Sequence, residues 1–384
     1  MCAKENITLR EERGTDMRDM RMRDSMLVLP HWLQPLLTWL TTIPYSGESP
    51  RKKSSAHHVI VALSLYLFGM ISSIGILEWR LPLVFLIFSW MLTVSGARTL
   101  QVQIIHQAAH ETLSSQKWVN DYAGMFLSAI LLVNDFNSYK IEHLRHHAAN
   151  ILATKDDDTF RFLFNVLGFK PGMTKKQLWR RLLLSLISPN YHLHFLWLRL
   201  APVFRSASIS HSILAITWVT LLLYITAVNG TWLPLAFVWA VPMILLYQIS
   251  AGLRLCVEHR YTGRRREAVS TRVHYAELTW AILPGEPIPG QAATRIGGLI
   301  SWGCWVVRIL VIHLPSRVFV LVGDTPSHDY HHRYPTSPNW PNFIAERRAD
   351  FEADYPKWGI PYNSIWGLFA AIDAALDCIA SAQD

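Results

Sequence analysis

Cysteine is scarce in this chain. Only Cys2, Cys256, Cys304 and Cys378 occur in 384 residues, far apart and with no C-x-x-C pair. That excludes a disulfide framework and a cysteine-ligated zinc or iron–sulfur site. Charge is scarce as well: Asp, Glu, Lys and Arg make up 17% of the residues against 51% apolar, a balance that excludes disorder and a nucleic-acid-binding tail. The excess of 36 basic over 28 acidic residues calls for no nucleic acid, because basic residues kept on the cytoplasmic side of a membrane account for it. A signal peptide is not expected, since the first 25 residues are densely charged.

Long uncharged runs and histidine are what the chain has in excess. Val59 to Leu77 is nineteen residues without a charge, and Leu81 to Ala97 repeats the pattern after Glu78-Trp79-Arg80. A helix needs roughly 20 such residues to cross about 30 Å of hydrocarbon, so the pair reads as a helical hairpin. His211 to Ser250 holds no charged residue, and Asn229-Gly230-Thr231 marks a second hairpin turn, with Trp232 at the interface. The expected architecture is an all-α integral membrane protein with four spans, at about 59–77, 81–100, 211–229 and 232–250. Arg51, Lys52 and Lys53 precede the first span, and Arg254, Arg260, Arg264, Arg265 and Arg266 follow the last. The positive-inside rule therefore puts residues 1–58, 106–205 and 251–384 in the cytoplasm, the last two as a helical cap. Met26 to Ile43 and Tyr122 to Asn134 read as interfacial or buried helices. Leu182 to Leu200 and Ile296 to Val322, broken by Ser188-Pro189-Asn190 and by Arg308, Pro315 and Arg317, read as lying along the membrane surface, with six spans as the alternative.

Three histidine clusters fall on the expected cytoplasmic side: His106-x-x-x-His110, His143-x-x-His146-His147 and His328-x-x-His331-His332. Residues three and four apart on a helix share a face with Cβ atoms about 5–6 Å apart, so each cluster offers two or three imidazoles from a single turn. A random H-x-x-H-H is expected only about 0.03 times in such a chain, and two are present. Adjacent imidazoles repel once protonated, and metal binding is the usual reason to collect them. Eight nitrogen ligands exceed the roughly four to six that one ion takes, so two metal ions are expected. Zinc, copper, iron and nickel all suit imidazole. Iron is the economical choice for O2 chemistry. The isolated His31, His57, His58, His192, His194, His211, His274 and His313 read as structural.

This order of boxes, with a transmembrane hairpin between the second and third, resembles the membrane fatty acid desaturase and hydroxylase superfamily over roughly Val59 to Trp366. His328-Asp-Tyr-His331-His332-Arg-Tyr-Pro335 is similar to the last desaturase box, and Asp156-Asp157-Asp158 follows the second as acidic residues often do in the family. Glu258-His259 resembles the extra histidine that completes a nine-histidine di-iron site. The resemblance implies a desaturase-like domain at 59–384. It also implies two iron ions, with O2 as co-substrate and an unactivated C–H bond of a lipid or acyl chain as the target. Fatty acyl desaturation leads, with hydroxylation or ketolation of an alkane, sterol or carotenoid as the alternative and metal transport as a remote one. The first box carries Gln107 where the family often has an acid, and Glu111 is the nearest substitute. Carboxylates are expected to hold the distal ring nitrogens of an all-histidine site, the candidates being Glu111, Glu142, Asp157, Glu258 and Asp329. Without a cysteine cluster or an H-P-G-G haem motif, electrons are expected from a separate ferredoxin, rubredoxin or cytochrome-type donor; Arg260–Arg266 and Arg347-Arg348 are candidates to dock it, with lipid-headgroup contact or a solvated face the commoner reading of such basic residues. The location would be the inner membrane of a bacterium or the endoplasmic reticulum of a eukaryote.

Overall fold

A computed structural model describes residues 9–205, 208–261, 269–290 and 294–382; Arg264, Arg265 and Arg266 lie outside the described residues. The chain divides into two compact units, one of residues 54–255 with 336–338, the other of 1–53, 256–335 and 339–384. Helix dominates both, and the two three-residue strands Ala281–Leu283 and Ser364–Trp366, paired in parallel, are the departure from an all-helical reading.

The unit built on 54–255 opens with the helix Ser55–Glu78, whose first turn is capped by the Ser54 hydroxyl accepting from His57 N–H (3.2 Å). Its uncharged length ends at Trp79 and Arg80, the latter in the left-handed region (φ 52°), and the chain returns as the helix Phe85–Thr99. Two glycines let these helices touch backbone to backbone. A Cβ on Gly69 would stand 2.6 Å from the Ser89 carbonyl oxygen, and one on Gly96 2.6 Å from that of Ala62. Ser73 and Ser89 are hydrogen-bonded across the seam (2.9 Å), the small-residue packing that joins helices where lipid removes the hydrophobic drive. The second helix runs on through a π-helical turn, Leu100–Ile105, into His106–Ala109. The first histidine box is thus the end of a hairpin helix, placed by an extra residue per turn of the kind often found at functional sites.

Lys117–Leu131 follows, then Phe136–His146, whose N-terminus is capped by Asp135 accepting from Ser138 N–H (3.0 Å). The buried Arg199, on Pro189–Arg205, donates to the carbonyls of Leu131 (3.0 Å), Leu132 (3.1 Å) and Met243 (2.7 Å), over the Tyr247 ring at 4.3 Å. The Leu131 and Leu132 carbonyls stand at the C-terminus of Lys117–Leu131, where helical partners run out, and the guanidinium ties that end to Met243, in the middle of its own helix. Ile209–Asn229 turns at Gly230 (φ 65°) into a helix reaching Val257, with a long π-helical stretch at Leu235–Leu246.

In the other unit the N-terminal helix Leu9–Ser25 is fastened by buried Arg23, which donates to Gln34 Oε1 (2.9 Å), Thr38 Oγ1 (3.0 Å) and the Ile43 carbonyl (3.1 Å). Leu37 and Leu40 of the Met26–Ile43 stretch are buried, while Val28, Trp32 and Leu36 are exposed. The third histidine box forms the short helix His328–Arg333.

Among the described residues, four helices are long and apolar enough to cross a membrane: Ser55–Glu78, Ile209–Asn229, Trp232–Val257 and Arg295–Val320. This fits a membrane protein. Three of the four overlap expected spans. The helix that begins at Phe85 and continues to Ala109, expected as a span at 81–100, is not one of these four, whereas Arg295–Val320, expected along the membrane surface, is the fourth. Its interruptions do not break the helix. Arg308 forks onto Glu286 (2.7 and 2.9 Å), and buried Arg317 donates to the carbonyls of Trp39 (3.0 Å), Leu321 and Gly323 (2.9 Å). Both charges are satisfied within the protein, so neither forces the helix out of an apolar setting.

Candidate metal centre

Five of the nine expected ligands belong to the unit of 54–255. The ligand atoms of His106, His110, His143 and His147 all lie within 4.8 Å of one another. His143 Nε2 stands 2.9 Å from His110 Nε2 and 3.1 Å from His147 Nε2. A metal–nitrogen bond of about 2.1 Å with ligands at right angles puts neighbouring nitrogens about 3 Å apart, so the spacing is that of donors aimed at one ion. His106 Nδ1–H donates to the Val102 carbonyl (2.9 Å), so in the neutral ring Nε2 is the nitrogen that can ligate a metal. Desolvation holds His143 well below the ordinary imidazole range, and His106, His147, His110 and His146 push it further down. A neutral ring is the ligand form. His146 is buried, its ring 5.8 Å from that of His143, and its Nδ1–H donates to Asp157 Oδ1 (2.9 Å). Asp157 is itself fixed by accepting from the N–H groups of Ala153 (2.7 Å) and Thr159 (3.0 Å).

The other four belong to the second unit. The ligand atoms of His259, His328 and His332 lie within 4.8 Å of one another, and all three side chains are buried. His328 Nε2 and His332 Nε2 are 3.1 Å apart, and Glu258 Oε1 stands 3.2 Å from the same His328 nitrogen. With Nε2 turned inward, His332 Nδ1–H donates to the Tyr275 oxygen (2.8 Å), and the Tyr275 ring stacks on Trp358 (5.9 Å between centroids). His331 is buried one turn along, its ring 5.7 Å from that of His328. The donor chemistry fits a transition metal in both clusters: converging imidazole nitrogens, with the Nδ1 atoms of His106, His146 and His332 each at an oxygen.

The expected carboxylates divide. Asp157 and Glu258 lie at imidazoles. Glu111 is half exposed and pairs with Lys140 (2.6 Å) and Lys117 (3.4 Å). Glu142 accepts from Asn134 Nδ2 (3.3 Å). Asp329 is buried against Arg347, with Nη2 to Oδ2 at 2.8 Å. The geometry also brings in groups that sequence reasoning missed, the Val102 carbonyl and Tyr275; neither carries any motif that could have marked it. Of the isolated histidines, His192 Nε2–H donates to the Leu186 carbonyl (2.9 Å), a structural role. Arg348, a candidate with Arg347 to dock a donor, pairs with Glu352 (2.7 Å).

The sequence matches the family described as "Fatty acid desaturase" over residues 79–366, about three quarters of the chain. A stretch of 72 residues is 38% identical to the "Bifunctional fatty acid conjugase/Delta(12)-oleate desaturase" of Punica granatum. That stretch is 18% of this chain and spans 17% of the relative.

Proposed function

The chain belongs to the fatty acid desaturase family, and from that premise we propose that it is an O2-dependent lipid oxidoreductase that introduces double bonds into acyl chains at two histidine-held iron ions. The observation that carries the reading is the convergence of His106, His110, His143 and His147, and of His259, His328 and His332, in a chain of this family. Two iron ions held there supply the oxidising power, drawn from O2, that removes hydrogen from an unactivated methylene. Each double bond takes two hydrogens from adjacent carbons, and together with two electrons and two protons the O2 leaves as two waters. The electrons come from a separate one-electron protein donor.

The chain's own residues hold and tune the centre. Nine imidazoles bring no negative charge, so Asp157, accepting from His146 Nδ1–H, offsets the metal charge and fixes that ring, while Glu258, beside His328 Nε2, brings a second carboxylate to the ligand nitrogen itself. Tyr275, a neutral partner, orients the His332 ring without offsetting charge. The basic residues flanking the apolar helices orient both clusters toward the cytoplasm, where an acyl chain enters from lipid with its headgroup or carrier in water. The name of the Punica granatum relative supports an acyl substrate and desaturation over hydroxylation.

Anaerobic purification with metal analysis, followed by lipid profiling of cells expressing the chain, tests the proposal. Close to two irons per chain and acyl chains with added double bonds are expected. Stoichiometric zinc with full activity would overturn the iron assignment, and an alcohol in place of an alkene would reassign the reaction to hydroxylation.

A further inference from the structure

A buried ionic network joins the N-terminal helix to the third histidine box. Asp16 and Asp19, on Leu9–Ser25, are 4% and 1% exposed. Asp16 Oδ2 accepts from the Tyr355 hydroxyl and from Tyr362 N–H (3.2 Å), and Oδ1 faces Arg347 Nη2 at 3.8 Å. Asp19 accepts from Trp366 Nε1–H (2.8 Å) and from the Ser364 hydroxyl, fastening the helix to the strand that carries both. Arg347, also buried, forks onto Asp329, with Nε at 3.2 Å from each oxygen and Nη2 at 2.8 Å from Oδ2. Its guanidinium lies over the Tyr362 ring at 4.4 Å. Burial opposes the charge on Arg347, but Asp329 and Asp16 more than compensate and hold its pKa above the ordinary value. Asp329 sits between His328 and His331 in the helix His328–Arg333, and the last residue of that helix, Arg333, donates to the carbonyls of Ile360 and Pro361.

Such a network is a poor way to gain stability, because desolvating the charges consumes most of their attraction, and apolar residues of the same volume often do as well. What it provides is fixed registry among segments far apart in sequence. We propose that the N-terminal helix is a positioning part of the metal centre: Asp16 fixes Arg347, and Arg347 fixes Asp329 and with it the turn that presents His328, His331 and His332. The residues at its outer end lie upstream of the stretch matched to the family, which begins at residue 79. The inference rests on the reading that these histidines hold metal.

The test uses the metal-free full chain in detergent, titrated with Co(II) as a probe whose visible absorption reports ligand geometry. Asp16→Asn keeps the size and the tyrosine contact but removes the charge, Arg347→Lys keeps the charge but loses the fork, and Asp329→Asn alters the inner end. Each is expected to weaken Co(II) binding about tenfold or more, the range seen for outer groups that orient metal ligands, and to shift the absorption bands. The double variant Asp16→Asn/Arg347→Lys should be no worse than the more damaging single one, since both act on one chain of contacts. Arg348→Lys, on the same helix but paired with exposed Glu352, should leave binding unchanged. A measurement on the unaltered protein guards against variants that fail to fold: Co(II) should slow amide hydrogen exchange across residues 16–25, because coupling between sites is reciprocal. Asp16→Asn with native Co(II) affinity and spectrum, or exchange in 16–25 indifferent to Co(II), would overturn the positioning role and leave metal binding standing. An unaltered chain that takes up no Co(II) or iron would bring down the metal reading itself.

Discussion

The imidazoles of the 54–255 unit arrive on helices that the sequence builds locally, while those of the second unit are assembled from distant segments. His106 and His110 end the helix that returns from Ser55–Glu78, and His143, His146 and His147 close a helix capped by Asp135. Their supporting groups, the Val102 carbonyl and Asp157, lie within eleven residues of the ring they hold. His332 is held by Tyr275, 57 positions away, His328 meets Glu258, and Asp329 meets Arg347, which itself faces Asp16. One cluster inherits its geometry from helix pitch. The other depends on tertiary contacts, and it should fail in different ways.

The largest expected effect removes a ligand from either side of this comparison. Replacing His146 or His147 in one unit, or His331 or His332 in the other, by Ala should lower turnover by more than about a hundredfold, beyond the loss typical of outer groups, with iron falling alongside. His259→Ala is the sharper case, because its box has no motif behind it: iron content should drop from near two towards one per chain while the protein still inserts. Normal iron and normal product in that variant would show that His259 is interfacial and that the second cluster is not a metal site as drawn.

Next comes the carboxylate that holds the buried His146. Asp157→Asn keeps an oxygen in the Oδ1 position, where His146 Nδ1–H and Thr159 N–H both donate, but sets an NH2 group against Ala153 N–H, which donates to Oδ2, and leaves His146 with a neutral partner. Loss of a charge-assisted bond is worth roughly 1.5–3 kcal/mol, so iron affinity or turnover should fall about 10- to 100-fold. Retention of full affinity would mean that Asp157 caps its turn and no more.

The hairpin beneath the local cluster makes a third test. A side chain on Gly96 meets the backbone of Tyr66 and Ala62, whereas one on Gly75 meets only the Trp79 ring at 3.8 Å. Gly96→Val should therefore cost about 1–3 kcal/mol of stability through overpacking, read as a lowered thermal midpoint in detergent, with Gly75→Ala close to neutral. Equal effects at the two positions would remove the argument that close helix approach sets the first box.

The same division explains how much could be read in the sequence. Helix periodicity located all three boxes, since i, i+3 and i+4 spacing is local. It also gave three of the four long apolar helices. Arg295–Val320 was hidden because hydropathy counts Arg308 and Arg317 as breaks, and only the folded chain shows Glu286 and the carbonyls that satisfy them. The carboxylates follow one rule: chain neighbours do not share a face, whether on a helix or, at Glu111, in the turn that ends one. Glu111 beside His110, Glu142 beside His143 and Asp329 beside His328 turn to Lys140, Asn134 and Arg347. Asp157, eleven residues from His146, meets that ring, and Glu258 meets His328 from seventy residues away.

The smallest effect belongs to Tyr275, and it separates orientation from charge. Tyr275→Phe keeps the ring that stacks on Trp358 and deletes the oxygen that accepts from His332 Nδ1–H. Asp157 stabilises a developing positive charge on its imidazole, but a hydroxyl only aims the ring, and a neutral hydrogen bond of this kind is worth about 0.5–1.5 kcal/mol. Iron affinity should thus drop by roughly two- to tenfold, less than for Asp157→Asn, with little change in thermal midpoint because the packing is unaltered. The ordering matters more than either value. If Tyr275→Phe were as damaging as Asp157→Asn, His332 would depend on its neutral partner, reached across 57 positions, as heavily as His146 depends on its charged partner eleven residues away. The contrast between a cluster set by helix pitch and charge and one set by distributed tertiary contacts would then collapse at His332.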